Sequence, residues 1–166
     1  METNRKVFSA VSVLFLVLAL TLVLFGCAPP VDLDRVPILP ASGPPEPEEV
    51  MPGSLLGANL TNLQDSSGAG YTGVTGIYDE VVVTIDRAAN AAYTAGIMEN
   101  ERAALEFAAH NYSVTQTGDW FQFSGDIGSA FWWIEGNWLY GVFAPDDDTV
   151  IQGAEALIDH LVSLEY

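Results

Sequence analysis

A β-hairpin is predicted at residues 129–144, SAFWWIEGNWLYGVFA. Alternating side chains flank Gly136-Asn137, and this dipeptide is typical of a two-residue hairpin turn. Pairing of Glu135 with Trp138 sets the register, and because side chains alternate along a strand it also sorts them onto two faces. One face contains Ala130, Trp132, Ile134, Leu139, Gly141 and Phe143, and the other contains Phe131, Trp133, Glu135, Trp138, Tyr140 and Val142.

Further strands and helices are predicted on both sides of this hairpin. Residues 71–78 and 81–87 are predicted as strands, the second because it is rich in β-branched side chains. Alanine content and helical spacing of apolar residues favour a helix at 90–110. The remaining predicted elements are two strands and a final helix: 112–117, 120–124 and 145–164.

The order of these elements indicates an α+β fold. We expect two layers, an antiparallel sheet with two helices packed on one face. The strand-turn-strand-helix pattern at 72–110 recurs at 129–164. This recurrence suggests a repeated β-hairpin-plus-helix unit.

The charge of the chain excludes one class of partner. The formal net charge is −17, and removal of the first 26 residues, which contain Glu2, Arg5 and Lys6, leaves −18. Such a surface repels phosphate backbones, so the sequence excludes nucleic-acid binding. It also repels anionic lipid headgroups, which disfavours adhesion to a membrane by charge alone.

Residues 7–25 form an uncharged apolar run that follows Arg5-Lys6. A basic segment, an apolar region and a small residue before the cleavage point are typical of a secretory signal. Leu24-Phe25-Gly26-Cys27 resembles the lipobox of prokaryotic lipoproteins, over four residues of the chain. In that family a diacylglycerol is attached to the Cys thiol before a peptidase cuts in front of it. The resemblance implies that residues 1–26 are a signal peptide and that Cys27 is lipidated.

A retained transmembrane helix is the alternative for this run. Nineteen residues at about 1.5 Å each reach about 28 Å, close to the thickness of a bilayer core. In both cases the positive-inside tendency of Arg5 and Lys6 leaves the rest of the chain outside the cell membrane. The only cofactor expected is the covalent diacylglycerol on Cys27, and the membrane is a partner through this anchor.

Residues 27–52 are predicted to be an extended tether that is lipid-anchored and rich in Pro and Glu. Prolines fix φ and lack an amide donor, so this segment is not expected to form a helix or an interior strand. In polyproline geometry it would span roughly 75 Å. Residues 53–166 are then expected to form a single α+β domain.

The aromatic face of the hairpin is the leading candidate for a binding site. If both helices cover the opposite face, then Phe131, Trp133, Trp138 and Tyr140 are exposed, and an exposed aromatic patch marks an interaction site. Flat rings suit a sugar, a cationic ligand or a partner protein. The alternative is that these rings are cross-strand packing. The sequence therefore predicts a non-enzymatic domain that binds a small ligand or a protein.

Catalytic and metal-binding patterns are weak. His110 and His160 are the only histidines, each at or near a predicted helix end, and no Gly-x-Ser-x-Gly motif occurs. A small cell-envelope hydrolase and a structural accessory subunit stay as alternative functions. No metal site is predicted; Asp146, Asp147 and Asp148 are weak candidates for calcium, and helix capping explains them better.

Overall fold

A seven-stranded antiparallel sheet organises the computed structural model, which describes residues 28–164. The strands are β1 Ser54–Leu55, β2 Ala58–Asn59, β3 Asn62–Asp65, β4 Tyr71–Tyr78, β5 Val81–Ala88, β6 Tyr112–Thr117, β7 Trp120–Gly125, β8 Gly128–Glu135 and β9 Trp138–Ala144. The α-helices are α1 Pro47–Val50, α2 Ala91–Ala108 and α3 Asp147–Ser163. The strand order in the large sheet is β3-β4-β5-β9-β8-β7-β6, and β1 and β2 form a separate two-stranded sheet. The α+β class is confirmed.

The predicted hairpin register is confirmed. Glu135 lies opposite Trp138, and Gly136 has a φ of 60°, which glycine adopts without the steric cost of a side chain. The β4–β5 and β8–β9 hairpins then pair through β5 and β9 at the centre of the sheet.

The two long helices pack on opposite faces of the sheet, which corrects the prediction that both lie on one face. Leu157 of α3 belongs to a core cluster with Trp133, whereas Met98 of α2 belongs to a second cluster with Trp132. Trp132 and Trp133 are neighbours in β8, so they point to opposite faces. Both faces of the hairpin are apolar, so both must be buried by another element of the fold. The described part of the molecule has three layers. The predicted repeat of a β-hairpin-plus-helix unit is not confirmed, because the helices that follow the two hairpins lie on opposite faces.

Residues 31–52, which we call the strap, pack on the α3 face, so the predicted extended tether is wrong for this segment. Besides prolines, five apolar side chains of the strap are buried: Val31, Val36, Leu39, Val50 and Met51. The strap also satisfies polar atoms of the domain. Trp138 Nε1 donates to the carbonyl of Pro40 at 3.0 Å, and the Tyr78 hydroxyl donates to the carbonyl of Pro52. Prolines prevent ladder pairing in the strap, yet the side chains between them still bury apolar surface.

Arg87 of β5 holds the middle of the strap. Its guanidinium donates to the carbonyls of Gly43 and Pro45 and pairs with the Glu46 carboxylate at 2.6 Å. The side chain is only 11% exposed, and its charge lies 5.5 Å from the centre of the Trp138 ring. Arg35 makes the other arginine contact of the strap, an exposed ion pair with Asp159 of α3.

Removing Arg87 is expected to loosen the strap. Because the Arg87 side chain is largely buried and makes three charged hydrogen bonds to the strap, Arg87→Ala should lower the free energy of unfolding by about 2–3 kcal/mol. Hydrogen exchange should show faster exchange of amides at 40–50. Arg35→Ala is the control, since an exposed ion pair contributes little. Equal, small effects of the two substitutions would contradict a strap fixed by Arg87.

Candidate functional site

The aromatic side chains expected on an exposed sheet face lie in the core. Phe131, Trp133, Trp138 and Tyr140 each have 0% exposed surface. Helix α3 and the strap cover this face, while α2 covers the opposite one. The expectation of an exposed aromatic patch is therefore wrong, because it assumed that both helices share one face.

Two polar atoms of this aromatic core are buried without a partner. Within residues 28–164, neither Trp133 Nε1 nor the Tyr140 hydroxyl makes a hydrogen bond. Burial raises the pKa of Tyr140, and the nearby Glu135 raises it further. The Trp133 and Tyr140 rings stack with centroids 5.3 Å apart. These side chains pack against one another and are not open to a ligand.

Asp146, Asp147 and Asp148 lie at the N-terminus of α3. Asp146 is the N-cap and accepts hydrogen bonds from Thr149 N at 2.8 Å and Thr149 Oγ1 at 2.9 Å. These bonds hold the pKa of Asp146 below its usual range. Asp147 accepts from Ser124 Oγ at 3.2 Å, and Asp148 is exposed in the first turn. In the part of the chain that the structure describes, no three or more Asp, Glu, His or Cys side chains form a metal-binding group.

The two histidines are not brought together. His110 follows α2 and is 90% exposed, with Nδ1 3.9 Å from the Asp126 carboxylate. His160 lies in the last turn of α3, where Nε2 is 3.0 Å from the carbonyl of Val50. Among the described residues neither imidazole hydrogen-bonds to a serine hydroxyl, so the arrangement expected of a serine hydrolase is not assembled there.

A groove lies on the α2 face of the sheet, beside the first half of α2. Its volume is about 540 Å³, within the usual range for small-molecule sites. Two tyrosines and two asparagines provide its aromatic and amide groups, and we call it the tyrosine groove. Its lining residues are Ala69, Tyr71, Asn90, Ala92, Tyr93, Gly96, Ile97 and Asn100.

Local structure places the groove residues. Asn90 is the N-cap of α2 and accepts a hydrogen bond from Tyr93 N at 3.1 Å, which fixes the turn of α2 that contains Tyr93. Gly70 has a φ of 87°, and a Cβ there would lie 2.6 Å from the Tyr93 ring. Gly70 therefore packs directly against the Tyr93 ring, and both its φ and this close approach favour glycine.

A buried carboxylate lies behind the loop at 65–70. Asp86 of β5 is 3% exposed and accepts a hydrogen bond from Ser66 Oγ at 3.2 Å. Opposite it in β4, a Cβ on Gly73 would lie 1.8 Å from Asp86 Oδ1, so the pairing requires glycine. Burial raises the pKa of Asp86 to about 7; the Ser66 bond opposes this shift and the charge of Glu101 adds to it.

Glu101 and Tyr71 complete the acidic side of the site. Glu101 lies on the same side of α2 as the buried Thr94 and Met98, facing the sheet. Burial raises the pKa of Glu101 and that of Tyr71, and the charges of Asp86 and Glu101 raise the pKa of Tyr71 further. The negative charge of Asp86 and Glu101, when these carboxyls are ionised, therefore acts on Tyr71 in the groove wall.

Sequence reasoning missed this site. A charged residue within the β-branched run of β5 was one available signal, because Asp86 alternates with the buried Val83 and Ile85 and so belongs to the α2 face. A glycine in the middle of an alanine-rich helix, Gly96, was another.

Comparisons with protein-family models, with curated proteins and with solved structures find no match to this chain.

Proposed function

We propose that the protein is a lipid-anchored extracytoplasmic protein that binds a small organic cation in the tyrosine groove. The anchor is inferred from the apolar run at 7–25 and the lipobox-like residues that end in Cys27. This part of the chain lies outside the described residues. Within residues 28–164 the structure contains no helix that is long and apolar enough to cross a bilayer.

Gly96 is the observation on which the binding proposal depends. It lies in the interior of α2, where glycine costs about 1 kcal/mol relative to alanine. A Cβ at Gly96 would meet no atom within 4 Å, and its φ is not in the left-handed region. Neither packing nor backbone conformation requires glycine there. Gly96 lines the tyrosine groove, so close approach of a ligand to the helix explains it.

The groove chemistry favours a cation. Among the described residues that line it, none has a charged side chain, while the charges of Asp86 and Glu101 act on Tyr71. Faces of tyrosine rings attract ammonium groups, and the attraction grows as water is excluded. Asn90 and Asn100 add hydrogen-bonding groups for a polar substituent. When Asp86 and Glu101 are ionised, an anion would meet their negative potential.

Gly96→Ala distinguishes an effect on ligand binding from an effect on folding, because the two are expected to change in opposite directions. The substitution should raise the free energy of unfolding by about 0.5–1 kcal/mol, because alanine favours a helix and the new methyl group enters open space. It should weaken binding of the probe, choline, because the methyl group occupies the groove. Isothermal titration calorimetry and thermal unfolding of the same preparation measure both effects.

Tyr93→Ala and Tyr112→Ala form a matched pair for the same titration. Both tyrosines are about half exposed, at 50% and 47%, but only Tyr93 lines the groove. We expect choline binding to be lost in Tyr93→Ala and kept in Tyr112→Ala. Equal effects of the two, or tighter binding by Gly96→Ala, would reject the groove as the site. Binding of glucose in preference to choline would contradict a cationic ligand, but it would still be consistent with the groove as the binding site.

A further inference from the structure

The strap begins very close to the point of attachment. Only three residues, Ala28, Pro29 and Pro30, separate Cys27 from Val31, and Val31 is 4% exposed in the core. Four Cα–Cα steps span at most about 14 Å when fully extended. A lipid on Cys27 would therefore hold this part of the domain next to the headgroups, in place of the long reach of an extended tether.

The first part of the strap lies on the α3 side of the sheet. Leu33 packs against the core cluster that contains α3, and Arg35 pairs with Asp159 in the second half of α3. Helix α2 lies across the sheet from this layer. The sheet and α2 each add a layer about 10 Å thick, so the outer surface of α2 is roughly 20 Å from the strap.

We infer that the layer formed by the strap and α3 faces the bilayer, and that α2 and the tyrosine groove face away from it. This orientation depends on the membrane anchor of the proposed function. It leaves the groove open to solutes outside the cell, while α3 is shielded by the membrane.

The short connection, and not charge attraction, holds this orientation. Arg35 is surrounded by acids, because Asp159, Asp32 and Glu155 all raise its pKa, with Asp159 the largest cause. Such a surface is repelled by anionic lipids. The proximity of the strap to the bilayer should therefore depend on the length of chain between Cys27 and Val31, and should persist in both zwitterionic and anionic membranes.

Spin labels on the full chain test the orientation. Cys27 is the only cysteine, so lipidation of its thiol leaves an introduced cysteine as the single labelling site. Asp34→Cys places a label on the exposed start of the strap, and Phe107→Cys places one on α2, where the native side chain is 94% exposed. Each labelled protein is reconstituted into phosphatidylcholine vesicles with a gadolinium chelate on the headgroups, and the relaxation of the nitroxide is measured.

We expect strong relaxation enhancement at residue 34 and little at residue 107. A variant with a long Gly/Ser insertion between Ala28 and Pro29 is the control and should lose most of the enhancement at residue 34. The intact mass of the protein in the same samples shows whether the lipid is attached. Equal enhancement at the two labels on a lipidated protein would overturn the orientation and leave the anchor intact, whereas a mass without lipid would overturn the anchor and the orientation together.

Discussion

Asp86→Asn is expected to raise the free energy of unfolding by about 4 kcal/mol at pH 8.5 and to change it little at pH 3.5. Burial raises the pKa of Asp86 from 3.8 to about 7, and each unit of difference between the folded and unfolded states corresponds to about 1.4 kcal/mol. Asparagine keeps an oxygen that accepts from Ser66 Oγ but has no charge to bury. The substitution therefore removes a cost that exists only when the carboxyl is ionised.

The pH dependence follows from which state binds more protons. Between about pH 4 and pH 7 the folded protein keeps the Asp86 proton while the unfolded chain has lost it, so the contribution of Asp86 to stability falls as pH rises. Below pH 4 both states are protonated and the cost disappears.

Denaturant unfolding of both proteins at several pH values measures the difference. Glu80→Gln, in the exposed β4–β5 turn, controls for the loss of one negative charge. If the difference in the free energy of unfolding between the two proteins does not change with pH, then burial does not raise the pKa of the Asp86 carboxyl.

Trp133→Ala is expected to lower the free energy of unfolding by about 3–5 kcal/mol. The indole is fully buried, with its ring centroid 5.5 Å from that of Phe131 and 5.3 Å from that of Tyr140. Alanine would leave a large cavity beneath α3, and neighbouring rings fill such a space poorly. Denaturant unfolding, with near-ultraviolet circular dichroism as a measure of aromatic packing, reports the loss.

Two further substitutions control this result. Trp133→Phe should cost much less, because phenylalanine fills most of the space and removes an N–H that has no partner among the described residues. Phe107→Ala should change stability little, since that ring is 94% exposed. Unchanged stability of Trp133→Ala would mean that the aromatic face is on the surface, where a binding role was first expected.

Local patterns were enough to predict the hairpin and the fold class. Alternation in β8 and β9 and the turn at Gly136-Asn137 predict the pairing of Glu135 with Trp138. They do not predict which helix covers which face, because both faces of the hairpin are apolar and either could be covered by either helix. That choice depends on the path of the chain after β5 and after β9, which local periodicity does not encode.

The strap shows a second limit of sequence reasoning. Its prolines predicted neither a helix nor an interior strand, and the helix part of this prediction is wrong, because residues 47–50 form the four-residue helix α1. Pro47 is the first residue of α1, where a missing amide donor costs nothing. Its packing depends on hydrogen-bond partners far away in the chain. Trp138 is 98 residues after its partner Pro40, and His160 is 110 residues after its partner Val50. Composition describes the backbone of such a segment and says nothing about where its side chains pack.

The candidate site depends on similar long-range contacts. Tyr71 and Tyr93 are ordinary residues in their own segments, and they become neighbours only when α2 returns across the sheet. Asp86 and Gly96 are the two positions that break a local preference, a charge in a buried strand and a glycine within a helix. Such positions identify the region of a site, but the geometry comes only from the fold.

Mapping the amide shifts of ¹⁵N-labelled protein during a choline titration tests the proposed site most directly. We expect saturable shifts at Gly70, Tyr93, Gly96 and Ile97, and none at Tyr112 of the edge strand β6, which does not line the groove. Saturable shifts confined to another surface, or no shifts for choline while the protein is folded, would contradict the proposed site.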